Sequence, residues 1–464
     1  MRYYLDPFGC VKNQVDAENM MAHLDKAGWE CVSDAESADL IIVNSCGFIE
    51  SAKQESINAV LQWRKIYPSK KILLAGCLAQ RYAKELSEIM PEADGFMGLE
   101  DPAQIVQTAS NLTGSAKAKP ARDVLPAGER PLLSLPGSAY VKISEGCNNR
   151  CSFCAIPLIR GGLVSRTIPD ILEECRALLN RGIAELCIIG QDIGSFGAET
   201  AGAAAAKLPE LLNAISSLDG HFWVRLLYIH PDHFPLQILD IMEKDARFLP
   251  YFDIPFQHAS SKILAAMNRK GAPSGGAEKY LQLLETIRGR LPQAVIRSTF
   301  LLGFPGETEE DFAALLDFQE KVKLDWLGCF TYSREEGTAA YLMKGRVPAK
   351  TQAARKQMIE ERQIPITEKN MDRFIGQTLE VLIEERIDSA VAEYEIFWLG
   401  RLYCQAPDID GAAVIAGHQP AGLEDGKSPQ LGKLAKCRVI ARRGFDLEVK
   451  LVPDTAARCC VSKN

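Results

Sequence analysis

Two hydrophobic periods alternate along the first part of the chain. Over residues 1 to about 110, apolar runs at Tyr3–Phe8, Leu40–Val43 and Ile72–Ala75 are each followed by a longer stretch in which apolar positions recur every three to four residues. Short continuous runs fit buried strands, and the longer periodic stretches fit amphipathic helices. Strand–helix alternation of this kind predicts an α/β domain with a parallel sheet, assigned to residues 1–112. The following NLTGSAKAKPARDVLPAGERPLLSLP is rich in small residues, proline and charge and holds no period, so 113–136 reads as a linker.

From 137 to about 366 six strand candidates recur: Tyr140–Ile143, Leu186–Ile189, Val224–Ile229, Phe252–Pro255, Val295–Leu302 and Leu327–Tyr332. Helical segments separate them, and the spacing fits βα units of about thirty residues or more. Six such units are too few to close an eight-stranded barrel, so the expected architecture is a partial (βα)6 barrel with an open side that admits a large substrate. An alanine-rich stretch at Ala203–Ala206 reads as a loop. Residues 367–464 change character again. Runs at Thr378–Ile383, Ala413–Ile415, Cys437–Ile440 and Leu447–Val452 lie between turn sequences such as PDIDG and RRGFD, which predicts a small β-barrel.

Composition narrows the function. The first twenty residues lack a basic stretch followed by an apolar core, and no window approaches the roughly 20 apolar residues of a membrane span. A cytoplasmic location and no membrane partner are therefore expected. A net charge of -7 gives no global attraction to nucleic acid. Fourteen cysteines dispersed through a chain of 464 residues, with no export signal, point to metal ligation or redox chemistry rather than disulfides.

The cysteines fall into patterns. SEGCNNRCSFCAIPLIRG places Cys147, Cys151 and Cys154 in a CxxxCxxC array at the end of the first strand of the partial barrel, with Gly146 and Phe153 allowing a tight, apolar-covered loop. Three soft thiolates suit iron and sulfide. A four-iron cluster held by three cysteines keeps one iron for a chelating ligand, a position that the amino and carboxylate groups of S-adenosylmethionine can fill. A three-cysteine zinc site, or three unrelated thiols, is the alternative; no fourth Cys or His lies within twenty residues of the array. Cys10, Cys46 and Cys77 are far apart, but each directly follows an apolar strand, in YYLDPFGC, LIIVNSCG and KILLAGC. Strand ends of a parallel sheet share one crevice, so the three thiols can converge; they can equally be three small buried hydrophobes. Cys31, Cys175, Cys187, Cys329, Cys404, Cys437, Cys459 and Cys460 fit no ligand pattern, with Cys187 and Cys329 expected in the core and the Cys459–Cys460 pair an exposed bystander.

The CxxxCxxC array resembles that of the radical S-adenosylmethionine superfamily. FGCVKNQVDAENM, NSCGFIESAKQESI, GCLAQRY, VRLLYIHPDH, YFDIPFQHASSKILAAMNRKG and STFLLGFPGET resemble the methylthiotransferases of that superfamily, and the terminal barrel resembles a TRAM domain. The resemblance implies two 4Fe-4S clusters, one on Cys10, Cys46 and Cys77 and one on Cys147, Cys151 and Cys154. The second would bind and reductively cleave S-adenosylmethionine, with electrons from a donor such as flavodoxin or ferredoxin. It also implies cofactor contacts at Gln191 and Asp192 in IIGQDIGSFG and at Gly303 and Gly306 in LLGFPGET; as bare patterns both are also simple strand-to-loop turns. His258 either donates a hydrogen bond at the barrel mouth or is a structural histidine.

Family members modify either an adenosine of transfer RNA or an aspartate of ribosomal protein S-12. GCVKNQVDAEN, GFIESAKQES and GRLYCQAPDIDG resemble the second branch, which implies methylthio transfer to the β-carbon of that aspartate, in the free protein or in the small subunit. Charge agrees: from Thr367 onward 13 Lys and Arg stand against 15 Asp and Glu, whereas a barrel that grips phosphates is normally basic. Glu380, Glu384, Glu385 and Asp388 suit a basic protein partner or form a solvated face. Asp408 and Asp410 are read as turn formers or substrate contacts. Transfer RNA is the less favoured substrate, and a zinc-stabilised RNA-binding protein without catalysis is the remaining alternative.

Overall fold

The computed structural model describes residues 1–99, 101–115, 128–199, 206–269, 276–388, 395–418 and 429–452. Half of the expected linker, most of the alanine-rich loop and the Cys459–Cys460 pair lie outside the described residues.

The amino-terminal sheet has five parallel strands, β1 (Arg2–Pro7), β2 (Glu30–Cys31), β3 (Leu40–Ser45), β4 (Lys71–Gly76) and β5 (Gly95–Met97), in the order β2-β1-β3-β4-β5. The central β3 is buried along its whole length, as its unbroken LIIVNS run demands. β2 and β5 are edge strands of two and three residues, too short to leave a hydrophobic period in the sequence.

β6 (Ser138–Lys142) opens the second sheet. A two-stranded ribbon, β7 (Ser144–Glu145) with β8 (Val164–Ser165), follows it and frames the loop that carries the cysteine array. The sheet continues with β9 (Glu185–Ile189), β10 (Trp223–Leu226), β11 (Phe248–Asp253), β12 (Val295–Leu302) and β13 (Trp326–Thr331). All neighbours pair in parallel, in the order β13-β12-β11-β10-β9-β6, and β6 and β13 remain as edges. This is the expected partial barrel. Alternate residues serve its two faces: Val141, Leu186, Ile188 and Ile296 pack under the surrounding helices, while Tyr140, Cys187, Tyr251 and Trp326 line the inside.

The last five strands, β14 (Thr378–Asp388), β15 (Glu395–Leu402), β16 (Ala413–His418), β17 (Leu434–Arg443) and β18 (Asp446–Leu451), form a closed barrel. β15 was not among the strands expected, because the buried Arg401 and Gly400 near its end interrupt the apolar pattern. The helix Ala349–Asp372 leads directly into this barrel.

The barrel closes the inner end of the partial barrel. Its segment 403–411 reaches in, where the Trp326 indole donates to the Cys404 carbonyl at 2.7 Å and Arg225 donates to the Tyr403 carbonyl at 2.9 Å. The Asp410 side chain is buried there, paired with Arg297 at 2.7 Å and accepting from the Tyr251 hydroxyl at 2.6 Å. It also accepts from the Ala406 N–H at 2.8 Å and so closes its own loop, which bears out the turn-forming reading and corrects the substrate-contact one. Glu384 is corrected likewise: it is buried and accepts from Arg401, which also pairs with Glu185 of β9. Glu380 accepts from His221 at 2.8 Å, so the acidic run is not one free docking face.

Candidate functional site

β1, β3 and β4 are neighbours, so their carboxyl ends bring Cys10, Cys46 and Cys77 to one edge of the amino-terminal sheet. Cys10 caps the helix Val11–Lys26, Cys46 follows β3 directly, and Cys77 begins the helix Cys77–Ile89. Two glycines let these loops touch. A Cβ on Gly9 would lie 3.2 Å from the Cys46 Cβ, and one on Gly47 would lie 2.7 Å from the Cys77 carbonyl oxygen. Asn13, one turn after Cys10, fastens the assembly by donating to the carbonyls of Phe8 at 2.7 Å and Ser45 at 3.1 Å. Its own amide oxygen lies 3.6 Å from the Cys77 sulfur. Cys10 is exposed, Cys46 half-buried and Cys77 buried.

The second triad sits on the loop between β7 and the helix Ile156–Arg160. The loop is fixed from several sides: the Cys147 N–H donates to the Gly161 carbonyl, Cys154 N–H to the Cys151 carbonyl, and Ser152 N–H to the Met267 carbonyl. Asn149 donates to Asp192 at 2.8 Å. Burial pushes the thiols up, Cys147 to about 11 and Cys154 to about 12, with Cys151 raised in the same way, while the nearby Arg269 opposes this in all three. Arg269 is buried, and its guanidinium donates to the Pro255 carbonyl.

Arg160 joins the two sets. It lies six residues past Cys154, yet its guanidinium is 3.1 Å from the Cys77 sulfur, 2.8 Å from Asp16 and 2.8 Å from Glu145. Lys142 pairs with Asp16 and Glu145 from the other side. Although burial alone would raise Glu145, Lys142 and Arg160 hold it down at about 2. Cys77 is pushed up to about 12 by burial, with Arg160 acting against the shift. Lys12 is also buried, and its ammonium lies over the ring of Tyr228, 2.9 Å from the centroid. Burial pulls Lys12 down to about 8, against the charges of Cys10 and Asp253.

Other expected site residues have structural surroundings. Asp192 is a buried acceptor for the N–H groups of Gly194 and His230, the Ser195 hydroxyl, Asn149 and His233. Those partners hold its carboxyl far below the ordinary range despite burial, which acts to raise it. Gln191 precedes it, with a buried amide nitrogen that has no protein partner. Gly303 ends β12 at φ 74°, and a Cβ there would strike Gln352 at 2.3 Å. Gly306, at φ 86°, donates to the Gly345 carbonyl. His258 is fully buried; its Nδ1 accepts from the Ser260 N–H, and its Nε2 faces Glu307 at 3.6 Å. It is a structural histidine. Cys175, Cys187, Cys329, Cys404 and Cys437 are buried, with Cys187, Cys404 and Cys437 within the cluster shared by the barrels. Asn13, Arg160 and Arg269 were not anticipated: the last two lie more than eighty residues from the thiols they face in the other domain or across the sheet, and only Asn13 carried a signal, one helical turn beyond Cys10.

Among the described residues no three His, Cys, Asp or Glu side chains gather closely enough to hold a single metal ion. Three thiols on a shaped rim beside a buried guanidinium fit a multi-iron cluster, in which each thiolate takes its own iron and the cation offsets the added negative charge. No described helix is long and apolar enough to cross a membrane.

Residues 2–98 match the uncharacterized protein family UPF0004, residues 141–318 the radical SAM superfamily, and residues 375–452 the TRAM domain. The chain is 47% identical to the ribosomal protein uS12 methylthiotransferase RimO of Treponema denticola, over 97% of this chain and 100% of that one. It is 41% identical to the protein of the same name from Syntrophomonas wolfei, over 88% and 92% of the two chains. Among solved structures it is similar to the radical S-adenosylmethionine methyltransferase TsrM of Kitasatospora setae, with a TM-score of 0.53 and 15% identity over 73% of each chain, a likeness of fold.

Proposed function

The chain belongs to the ribosomal protein uS12 methylthiotransferase family of radical S-adenosylmethionine enzymes, and from that premise we propose that it adds a methylthio group to the β-carbon of an aspartate of small-subunit ribosomal protein S-12. In this reading Cys147, Cys151 and Cys154 hold the 4Fe-4S cluster that takes S-adenosylmethionine, and Cys10, Cys46 and Cys77 hold a second one. The observation that carries it is Arg160, which starts from the helix behind the first array and ends on the thiol of the second.

When bound, the first cluster with S-adenosylmethionine would supply hydrogen-atom abstraction from a carbon that acid-base chemistry leaves inert, and the second would be the place of sulfur insertion. The chain's own part is placement. Asp192 orders the cysteine loop through Asn149 and the β10 end through the His230 N–H. Arg160, Lys142, Asp16 and Glu145 fix the two triads relative to each other. Gln191, Gly303 and Gly306, at the carboxyl ends of β9 and β12, are the proposed cofactor contacts beside Asp192. Flavodoxin or ferredoxin is the proposed electron donor, and a cytoplasmic location follows from the proposed substrate.

One observation favours transfer RNA instead. On the outer face of β17 and β18 the exposed Lys436, Arg438 and Lys450 form a basic stripe, with Arg438 and Lys450 directly opposite. The deciding experiment is mass spectrometry of S-12 and of bulk transfer RNA after anaerobic incubation with iron-reconstituted enzyme, reductant and S-adenosylmethionine. A methylthio increment on an S-12 aspartate is expected; an increment on transfer RNA alone overturns the substrate.

A further inference from the structure

A substrate aspartate brought between the two triads carries a carboxylate out of water, which requires a cation or donors waiting for it. Most buried cations near that space are already engaged, Arg269 with the Pro255 carbonyl and the charges of the Cys147 array. Arg160 is shared by Asp16, Glu145 and Cys77, Lys142 by Asp16 and Glu145, and Arg297 by Asp410. Lys12 differs. Among the described residues its ammonium meets no carboxylate within ion-pair distance; it lies against the Tyr228 ring, with the charges of Cys10 and Asp253 further off. That ring stands on backbone at φ 68°, a conformation a tyrosine rarely adopts, so the surrounding structure holds it there.

We propose that Lys12 is the specificity-determining residue that receives the carboxylate of the substrate side chain. The inference rests on the proposed S-12 reaction and deepens it. Lys12 lies two residues beyond the exposed Cys10, at the edge where the Cys10–Cys46–Cys77 triad meets the inside of the partial barrel. Its four-carbon stem lets the ammonium exchange a ring face for an oxygen with little backbone movement. Asparagine has nearly the shape of aspartate but no charge, so the interaction separates the two side chains by charge rather than size.

The test uses the reconstituted holoenzyme and S-12 protein with either aspartate or asparagine at the modified position, in equilibrium binding and competition. Wild type is expected to prefer aspartate by about tenfold or more, the scale of one charge-assisted hydrogen bond. Lys12→Met should bring that preference to within about twofold, Lys12→Arg should keep most of it, and iron and sulfide contents should match wild type. Because Lys12 is buried without an ion pair among the described residues and lies against a ring face, its removal should change Tm little; if Lys12→Met lowers Tm, Lys12→Gln takes its place in the comparison. A variant that keeps the wild-type preference overturns the assignment, as does one that loses iron, since Lys12 would then serve the cluster. Wild type that modifies S-12 with no preference overturns Lys12 alone, whereas wild type that modifies only transfer RNA overturns the substrate reading beneath it.

Discussion

Cys10 stands at the exposed lip of its triad, so trading its thiol for a methyl removes a ligand and almost no packing. Cys10→Ala should therefore fold with wild-type stability, keep S-adenosylmethionine cleavage and lose methylthio transfer; survival of both activities would remove Cys10 from the site. Arg160→Met is expected to behave differently. It takes one of two cations from the buried Asp16 and the partly buried Glu145 and leaves Lys142 to serve both, so the loss should fall below the roughly 3–5 kcal/mol of a fully broken buried pair, readable as a shift in chemical denaturation. The two residues also mark the limit of what a sequence discloses. Cys10 announces itself by following an apolar strand. Arg160 reads as an ordinary basic residue, because the thiol that gives it meaning is 83 positions away.

Elements show the same division. The six strands of the partial barrel are legible because burial on both faces makes each a nearly unbroken apolar run, whereas β15 hides behind its buried Arg401. Asp410 and Glu384 looked like a substrate contact and a surface acid for the same reason, their partners Arg297 and Arg401 being supplied by the fold. At the amino-terminal sheet the loops after β3 and β4 pack so tightly that Gly47→Ala must displace the Cys77 carbonyl. The expected result is reduced iron content assigned to the amino-terminal set by Mössbauer spectroscopy, with the Cys147 array still loaded; full loading of both would show that the loops yield more easily than their packing implies.

At the scale of the molecule, the terminal barrel is docked by charge as well as by apolar surface. Burial would raise Glu185, but Arg401 and Arg225 outweigh it and hold the carboxyl at about 2, below its ordinary 4.5. A folded value below the unfolded one contributes stability that is complete above pH 4.5 and is lost as pH falls towards 2. Acid should thus loosen the barrel from β9 over that window, detectable as faster hydrogen exchange at the interface, and Glu185→Gln should remove the pH dependence there. The segment 403–411 has a consequence of another kind. With the inner end stopped by this plug, the partial barrel is a blind alley rather than a passage, and traffic is confined to its mouth and open side. On the proposed reaction, release of the modified loop is therefore expected to precede exchange of spent cofactor, an order that product-inhibition kinetics would show.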